Sequence, residues 1–154
     1  MNRKKYGWIV LCCLVLGFIT AVTVAAQGAQ VTAGAFQTYA AGLERDYAIS
    51  GQAHMVRTAD GRTLVKVQAS GLAPHTSYPV HVHNAPCNVN NGGGHYQHEG
   101  GAVDAVNEIW PAFTTNAAGH GNGMAVNEFT ARPEAQAIVI HDTDAARIAC
   151  ADLE

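Results

Sequence analysis

The sequence predicts an all-β domain, either a flattened antiparallel barrel or a sandwich, with one long loop. Three observations indicate this fold class. Apolar residues recur with a period of two, turn dipeptides separate the short runs, and no window of a dozen residues has a helical apolar stripe. Short alternating strands with turns at these intervals are typical of antiparallel sandwiches and barrels.

The first half of the chain contains the clearest hairpin. Residues 28–42 are small and weakly patterned, and they predict a loose arm with a first strand. The segment TLVKVQAS (residues 63–70) alternates apolar and polar side chains, as in a half-buried strand. Asp60 and Gly61 form a turn dipeptide before it, which predicts a tight hairpin with YAISGQAHMVR (residues 47–57).

Three further strands are predicted towards the C-terminus. GMAVNEFTA (residues 123–131) is one, and AQAIVIH (residues 135–141) is apolar throughout, which predicts a central strand. NAAGHGNG (residues 116–123) is a glycine-rich turn, and HDTDAARIACADL (residues 141–153) predicts a final hairpin. The polar, glycine-rich residues 84–110 form the long loop. Loops of this length in a compact domain are usually functional or disordered.

The N-terminus has the plan of a secretory signal peptide. Arg3, Lys4 and Lys5 precede an apolar run, and small residues follow at positions 24–26. We therefore expect a signal peptide over residues 1–26, an N-terminal arm or first strand over residues 27–47, and the main domain over residues 48–154. An uncleaved membrane anchor is the alternative. The predicted location is secreted, either periplasmic or extracellular, without membrane association after cleavage.

Charge and cysteine content narrow the possible functions. Removing three basic residues with the leader leaves six against twelve acidic ones, a net charge of about −6. An acidic chain without a basic patch argues against nucleic-acid binding. Cys87 and Cys150 are the two cysteines left after the leader. In an oxidising compartment they most simply form one disulfide, which would staple the long loop to the last strand.

Four of the eight histidines form a candidate metal site. His81 and His83 are two residues apart on a predicted strand and so share one face. His141 ends another strand, and His95 follows a flexible glycine run that permits close backbone approach. Four imidazoles suit copper or zinc. The competing interpretation is that these are surface residues. Of the other histidines, we expect His54 and His75 to be structural or solvent-exposed and His120 to be a turn residue.

The order of these motifs resembles the copper–zinc superoxide dismutase family. GLAPHTSYPVHVH, a cysteine, GGGHY, IVIHD and RIAC follow one another in the family's order between residues 48 and 153. The resemblance implies a Greek-key β-barrel and the Cys87–Cys150 disulfide. It also implies that copper is held by four histidines (His81, His83, His95 and His141). His95 and Arg147 take catalytic roles in this comparison: His95 accepts a proton as copper is reduced, and Arg147 positions the anion.

The chain departs from the family where zinc would bind. The family continues after the histidine equivalent to His95 with two histidines and an aspartate, whereas this chain offers only His98, Asp104 and Glu108 at different spacing. We therefore expect the zinc site to be absent or altered. One of these residues would instead orient the His95 ring or contribute to a second metal, with Glu108 and Asp104 preferred for the former. The loop between His141 and Arg147 is also short, as in the family's secreted copper-only branch.

The sequence thus predicts a copper-dependent superoxide dismutase that converts superoxide to dioxygen and hydrogen peroxide. The alternative is a non-catalytic copper-binding or copper-delivery protein of the cell envelope with the same fold. A third possibility is an adhesion or matrix domain in which the histidines have no function. The presence of Arg147 favours the enzyme, because a copper carrier does not need to position an anion. The oligomeric state stays open.

Overall fold

The computed structural model describes residues 28–154, so the expected signal peptide lies outside the described residues. Within the described range, no helix is long and apolar enough to cross a membrane. The elements, in chain order, are β1 (Gln30–Ala35), β2 (Gln37–Thr38), α1 (Ala40–Leu43), β3 (Ser50–Arg57), β4 (Thr63–Ser70), β5 (Ser77–Tyr78), β6 (Val80–His83), β7 (Phe113–Thr114), β8 (Gly121–Asn127), β9 (Ala137–His141) and β10 (Arg147–Asp152).

Two four-stranded antiparallel sheets make up the domain. The first has the order β1-β3-β4-β8 and the second has the order β2-β10-β9-β6, while β5 and β7 form a small separate pair. The chain passes from β4 in the first sheet to β6 in the second, returns to β8, and passes again to β9. Neighbours that are distant in sequence, such as β4 with β8, are the mark of Greek-key connections. The all-β prediction is confirmed.

The β3–β4 hairpin forms as its turn dipeptide predicts. Gly61 has a φ of +88°, a backbone conformation that favours glycine. The backbone N–H of Thr58 donates to the carbonyl of Arg62 at 2.9 Å and closes the turn. Along β4, buried residues alternate with less buried ones over the whole strand. One face of β4 therefore packs inward, as the period of two requires.

The core lies between the two sheets. The first sheet contributes Met55, Val65 and Val67, all at most 1% exposed. The second contributes fully buried residues from β6, β9 and β10, which are Val80, Val82, Ile138, Ile140 and Ile148. Each such side chain stabilises the fold by about 1.5–3 kcal/mol relative to exposure. The strand β9 is buried along its whole length, since it lies between β10 and β6 and is covered on both faces.

The long connection between β6 and β7 is attached to the outer face of the second sheet. Cys87 forms a disulfide with Cys150 on β10. The N–H of Cys87 donates to the Asp152 carboxylate at 2.7 Å, and the hydroxyl of Tyr39 donates to the Cys87 carbonyl at 2.8 Å. Cys87 and Tyr39 thereby pack on Ala137, Val139 and Cys150. This attachment covers the outer face of β9, which lies between β10 and β6 in the sheet.

We expect loss of the disulfide to destabilise the domain markedly. The bond closes a loop of 63 residues, and the chain-entropy relation gives about 4 kcal/mol for such a loop. The double variant Cys87→Ser/Cys150→Ser should therefore melt roughly 10–15 °C lower in thermal denaturation. Added reductant should lower the melting temperature of the wild type but not of the variant. An unchanged melting temperature in the variant would show that the bond does not stabilise the fold.

Candidate metal centre

The four predicted histidines are brought together by strand alternation and one short bridge. On β6, Val80 and Val82 point into the core, so His81 and His83 project from the opposite, outer face. His141 is the last residue of β9, next to β6 in the same sheet. His95 pairs with His83 through an isolated antiparallel bridge. Three separate segments therefore meet at one point.

The close approach of the loop at this point requires glycine. Gly92 has a φ of +94°, and a Cβ atom there would lie 3.0 Å from Cγ2 of Val139 and 3.4 Å from Nδ1 of His83. Its N–H donates to the carbonyl of Val89, and its carbonyl accepts from Ala85 at 3.1 Å. The glycine run before His95 thus lets the loop backbone lie directly on the histidine cluster, as predicted from the sequence.

The potential ligand atoms of the four histidines all lie within 4.8 Å of one another. Nε2 of His83 and Nε2 of His141 are 3.2 Å apart. The His81 ring centroid lies 4.0 Å from that of His95 and 4.9 Å from that of His141. Imidazole nitrogens at these separations converge on a common volume, which is the arrangement that a single metal ion requires.

Burial keeps three of the four imidazoles neutral. His83 is fully buried, and His141 is 5% exposed. Desolvation, together with charge on His95 and His141, lowers the pKa of His81 to about 4 and that of His83 to about 3. Burial also lowers the pKa of His141, even though its Nδ1 lies 3.2 Å from the Ala145 carbonyl. These three imidazoles are therefore unprotonated near neutral pH, and an unprotonated imidazole can bind a metal ion.

Glu108 is the predicted carboxylate that lies against His95. Its Oε2 is 2.9 Å from Nδ1 of His95, and its side chain is 1% exposed. Nε1 of Trp110 donates to the same oxygen at 2.8 Å, and Nε2 of Gln97 donates to Oε1 at 3.1 Å. Burial raises the pKa of Glu108, but these hydrogen bonds outweigh it and leave the pKa below its usual value. Glu108 is thus held as a carboxylate beside His95.

The two other candidates from the same segment lie outside the histidine cluster. Oδ1 of Asp104 accepts hydrogen bonds from the backbone N–H groups of Val106 and Asn107, and it stabilises the turn before Glu108. The His98 ring stacks on Phe129 with a centroid distance of 4.1 Å. Both residues shape the loop rather than contact His95.

Arg147 lies at the rim of the cluster. Its Nη1 donates to the carbonyl of Asn90 at 2.7 Å and to that of Asn91 at 3.1 Å. Arg147 and three of the histidines line an open cavity of about 390 Å³, together with the short segment that follows β9; the lining residues are Pro79, His81, His95, His141, Asp142, Thr143, Ala145 and Arg147. A small anion in this cavity would meet the guanidinium and the imidazoles together.

A second arginine holds the hairpin that joins His141 to Arg147. Nε of Arg45, just after α1, lies 3.0 Å from Oδ2 of Asp142, and its Nη2 lies 2.7 Å from Oδ2 of Asp144. Sequence reasoning missed this residue. The partners are 97 and 99 positions away in sequence, so no local pattern could have indicated the contact. Gln97 and Trp110 were also missed, although they flank Glu108 in the loop predicted to be functional.

Comparisons with known proteins identify solved structures with a similar fold. No protein-family model matches the sequence, and a search of curated proteins gives no significant match. Among solved structures, superoxide dismutase 5 of Candida albicans in its Cu(II) form is 18% identical with a TM-score of 0.57, over 80% of this chain and 90% of that chain. A glutamate-to-glutamine mutant of that protein is 17% identical with a TM-score of 0.59, over 82% and 92% of the two chains.

A glutamate-to-alanine mutant of the same protein is 18% identical with a TM-score of 0.58, over 83% of this chain and 90% of that chain. The likeness thus extends over nearly all the described residues and nearly all of each solved structure. It agrees with the antiparallel two-sheet architecture described above. The protein therefore has the fold of the copper–zinc superoxide dismutase family.

Proposed function

We propose that this protein is a secreted copper-dependent superoxide dismutase that converts superoxide to dioxygen and hydrogen peroxide. The observation that carries the proposal is the convergence of four histidines on one point, with Arg147 on the wall of the same cavity. A copper carrier would need the histidines but not the arginine. The structural neighbours are superoxide dismutases, one of them in a Cu(II) form, and they support the same reading.

The residues fit a copper ion. Nδ1 of His81 is buried and has no hydrogen-bond partner among the described residues, an arrangement that a metal ion would satisfy. The donor set contains nitrogen only, which suits copper better than calcium or magnesium. His81, His83, His95 and His141 would hold the ion. Bound copper supplies one-electron chemistry, so that one superoxide is oxidised to dioxygen while a second takes up an electron and two protons to give hydrogen peroxide.

Side chains of the protein orient the His95 ring and bind the substrate anion. Glu108 accepts a hydrogen bond from Nδ1 of His95 and so leaves Nε2 of that ring for the cluster. Arg147 offers a fixed positive charge to the substrate anion by a charge-assisted hydrogen bond. Long-range attraction cannot come from the net charge, since the chain is acidic. Capture of superoxide therefore depends on the local field of Arg147.

Secretion is supported by two features. The leader has a basic start, an apolar run and small residues near position 26. The Cys87–Cys150 disulfide joins the long loop to β10, and structural disulfides of this kind persist in oxidising compartments. We propose that the mature chain begins near residue 27 and acts in the periplasm or outside the cell.

The deciding experiment is superoxide removal by the mature protein loaded with copper, compared with the same protein after chelation. Rapid, copper-dependent removal supports the enzyme. Stoichiometric copper binding without removal would contradict it and would instead indicate a copper-binding or copper-delivery protein. Absence of both activities would leave the fold as a scaffold with another role.

We predict one copper ion per chain, lost when a strand-borne ligand is removed. In His81→Ala, copper content after dialysis should fall at least ten-fold, because no neighbouring side chain can replace a donor fixed on β6. His54→Ala is the matched control, since His54 lies on β3 in the other sheet. Circular dichroism should show that both variants fold. Wild-type copper affinity in His81→Ala would refute the ligand assignment.

We also predict that the metal-free protein loses stability as the pH falls below about 6.5. The pKa values of His81 and His83 in the fold, about 4 and about 3, lie below the ordinary value, so the unfolded chain binds protons first. Each contributes stability above pH 6.5, which is lost between pH 6.5 and its folded pKa with a slope of up to about 1.4 kcal/mol per pH unit. The free energy of unfolding, measured by urea denaturation at several pH values, should depend less steeply on pH in His83→Asn than in the wild type. An equal dependence on pH would contradict the prediction.

Arg147→Ala should retain copper and lose activity. Removing the guanidinium should cut the rate of superoxide removal by about ten-fold or more, equivalent to about 1.4 kcal/mol or more of transition-state stabilisation. Arg147→Lys should recover part of this loss, because the ammonium keeps the charge but not the planar donor pair. Arg62→Ala is the control, since Arg62 pairs with Asp60 in the distant β3–β4 turn. An unchanged rate in copper-loaded Arg147→Ala would remove the main support for catalysis.

A further inference from the structure

We propose that Trp110 and Gln97 are positioning residues that clamp the Glu108 carboxylate and thereby fix the His95 ring in a single tautomer, with the proton on Nδ1. The inference deepens the proposed function, since it assumes that His95 faces a metal ion through its other nitrogen. It is carried by the contacts of three side chains around Glu108, and each of these contacts can be removed separately.

The Glu108 carboxylate is engaged on both oxygens. Oε2 lies 2.8 Å from Nε1 of Trp110 and 2.9 Å from Nδ1 of His95, while Oε1 lies 3.1 Å from Nε2 of Gln97. The side chain is 1% exposed, so water cannot easily replace these partners. The carboxylate has little freedom to rotate, because rotation would break at least one of the three hydrogen bonds in a buried site.

The identity of the donors determines where the proton on His95 must be. The indole nitrogen of Trp110 can only donate, so Oε2 acts as an acceptor in that contact. The amide nitrogen of Gln97 also donates, which gives Oε1 an acceptor role as well. These two donated hydrogen bonds stabilise the ionised carboxylate, and we therefore place the hydrogen between Glu108 and His95 on Nδ1 of His95. The lone pair of His95 is then on Nε2, the atom available to the histidine cluster.

Both clamping residues are fixed from outside the site. The carbonyl of Gln97 accepts a hydrogen bond from Nη2 of Arg132 at 3.0 Å. Ile109, just before Trp110, is fully buried, and its carbonyl accepts from the N–H of Val82 at 3.1 Å. Val82 lies between the two histidines of β6. The position of Trp110 is therefore fixed relative to β6, the strand that carries His81 and His83.

Glu108 itself is anchored through its backbone. Its N–H donates to the carbonyl of Asp104 at 2.8 Å, and its carbonyl accepts from Nδ2 of Asn127 on β8 at 2.9 Å. The Trp110 ring also meets the His81 ring edge-on, with 5.7 Å between centroids. Trp110 thus has two separable contacts, one through its N–H to Glu108 and one through its ring to His81.

The test uses variants that remove the donors and keep the bulk. Trp110→Phe deletes the indole N–H while retaining an aromatic ring, and Gln97→Leu deletes the amide. Glu108→Gln is the positive control for loss of the carboxylate, and Gln68→Leu on β4 is the negative control. In the metal-free protein, nitrogen-15 NMR of the imidazoles should show His95 almost entirely with the proton on Nδ1. Each clamp variant should raise the fraction of the other tautomer at least three-fold.

The copper-loaded protein gives a second, spectroscopic test of the clamp. The Cu(II) paramagnetic resonance spectrum should be a single species in the wild type and in Gln68→Leu, and it should become heterogeneous in the clamp variants at unchanged copper content. Superoxide removal, where present, should fall about three- to ten-fold. Trp110 is the one tryptophan after the leader, so its indole proton resonance reports directly on the hydrogen bond to Glu108.

The proposal and the proposed function fail in different ways. If copper-loaded wild type does not remove superoxide, the enzyme proposal is wrong, but the tautomer measurement on metal-free protein still decides the clamp. The clamp is overturned if Glu108→Gln changes the His95 tautomer ratio but the clamp variants leave it at the wild-type value. The clamp variants are Trp110→Phe, Gln97→Leu and the double variant Trp110→Phe/Gln97→Leu. If the double variant does not fold, the two single variants decide.

Discussion

The four-histidine cluster depends on one packing event, the closure of residues 84–94 over the outer face of the second sheet. That face carries the apolar side chains of β9 together with the histidines of β6, and it would otherwise be open to water. The disulfide at Cys87 and the bare backbone at Gly92 allow the loop to lie against it. The same closure that buries Val139 desolvates the imidazoles. Burial of the sheet face and desolvation of His81, His83 and His141 therefore have one cause.

Fixed charges around the centre are held at both ends of a short hairpin. Arg45 pairs with Asp142 and Asp144, which joins the region after α1 to the segment that follows His141. Arg147, at the other end, is held by two carbonyls of the covering loop. A guanidinium anchored in this way keeps unused N–H donors while losing little further entropy when an anion arrives. The short hairpin between His141 and Arg147 therefore holds a positive charge in a fixed position, and no long loop is needed.

Much of this arrangement follows from local pattern. The strand predicted over residues 63–70 is β4 with the same bounds, and the apolar segment before His141 is the central strand β9. The pairing of His81 with His83 on one face follows from the two-residue repeat of a strand. Such features depend on neighbours in sequence, where alternation and turn residues carry the information.

Other parts could not be predicted because they depend on contacts between distant segments. The contact of Arg45 with Asp144 spans 99 residues, and nothing in either local sequence indicates it. Glu108 and Asp104 were both candidates for orienting His95 in the sequence, and only the folded loop shows that Glu108 is the one that reaches it. The single-turn helix α1 is too short to give a helical stripe, and its order comes from packing on β10 rather than from propensity.

The distribution of the clustered histidines along the chain also determines an order of assembly. His81, His83 and His95 belong to the middle of the chain, whereas His141, Arg147 and Cys150 all come from its last two strands. A chain synthesised from its N-terminus has no complete centre until β9 and β10 have emerged and joined the second sheet. Assembly of the four-histidine cluster is therefore a late event in folding, so that an unfinished chain does not present it.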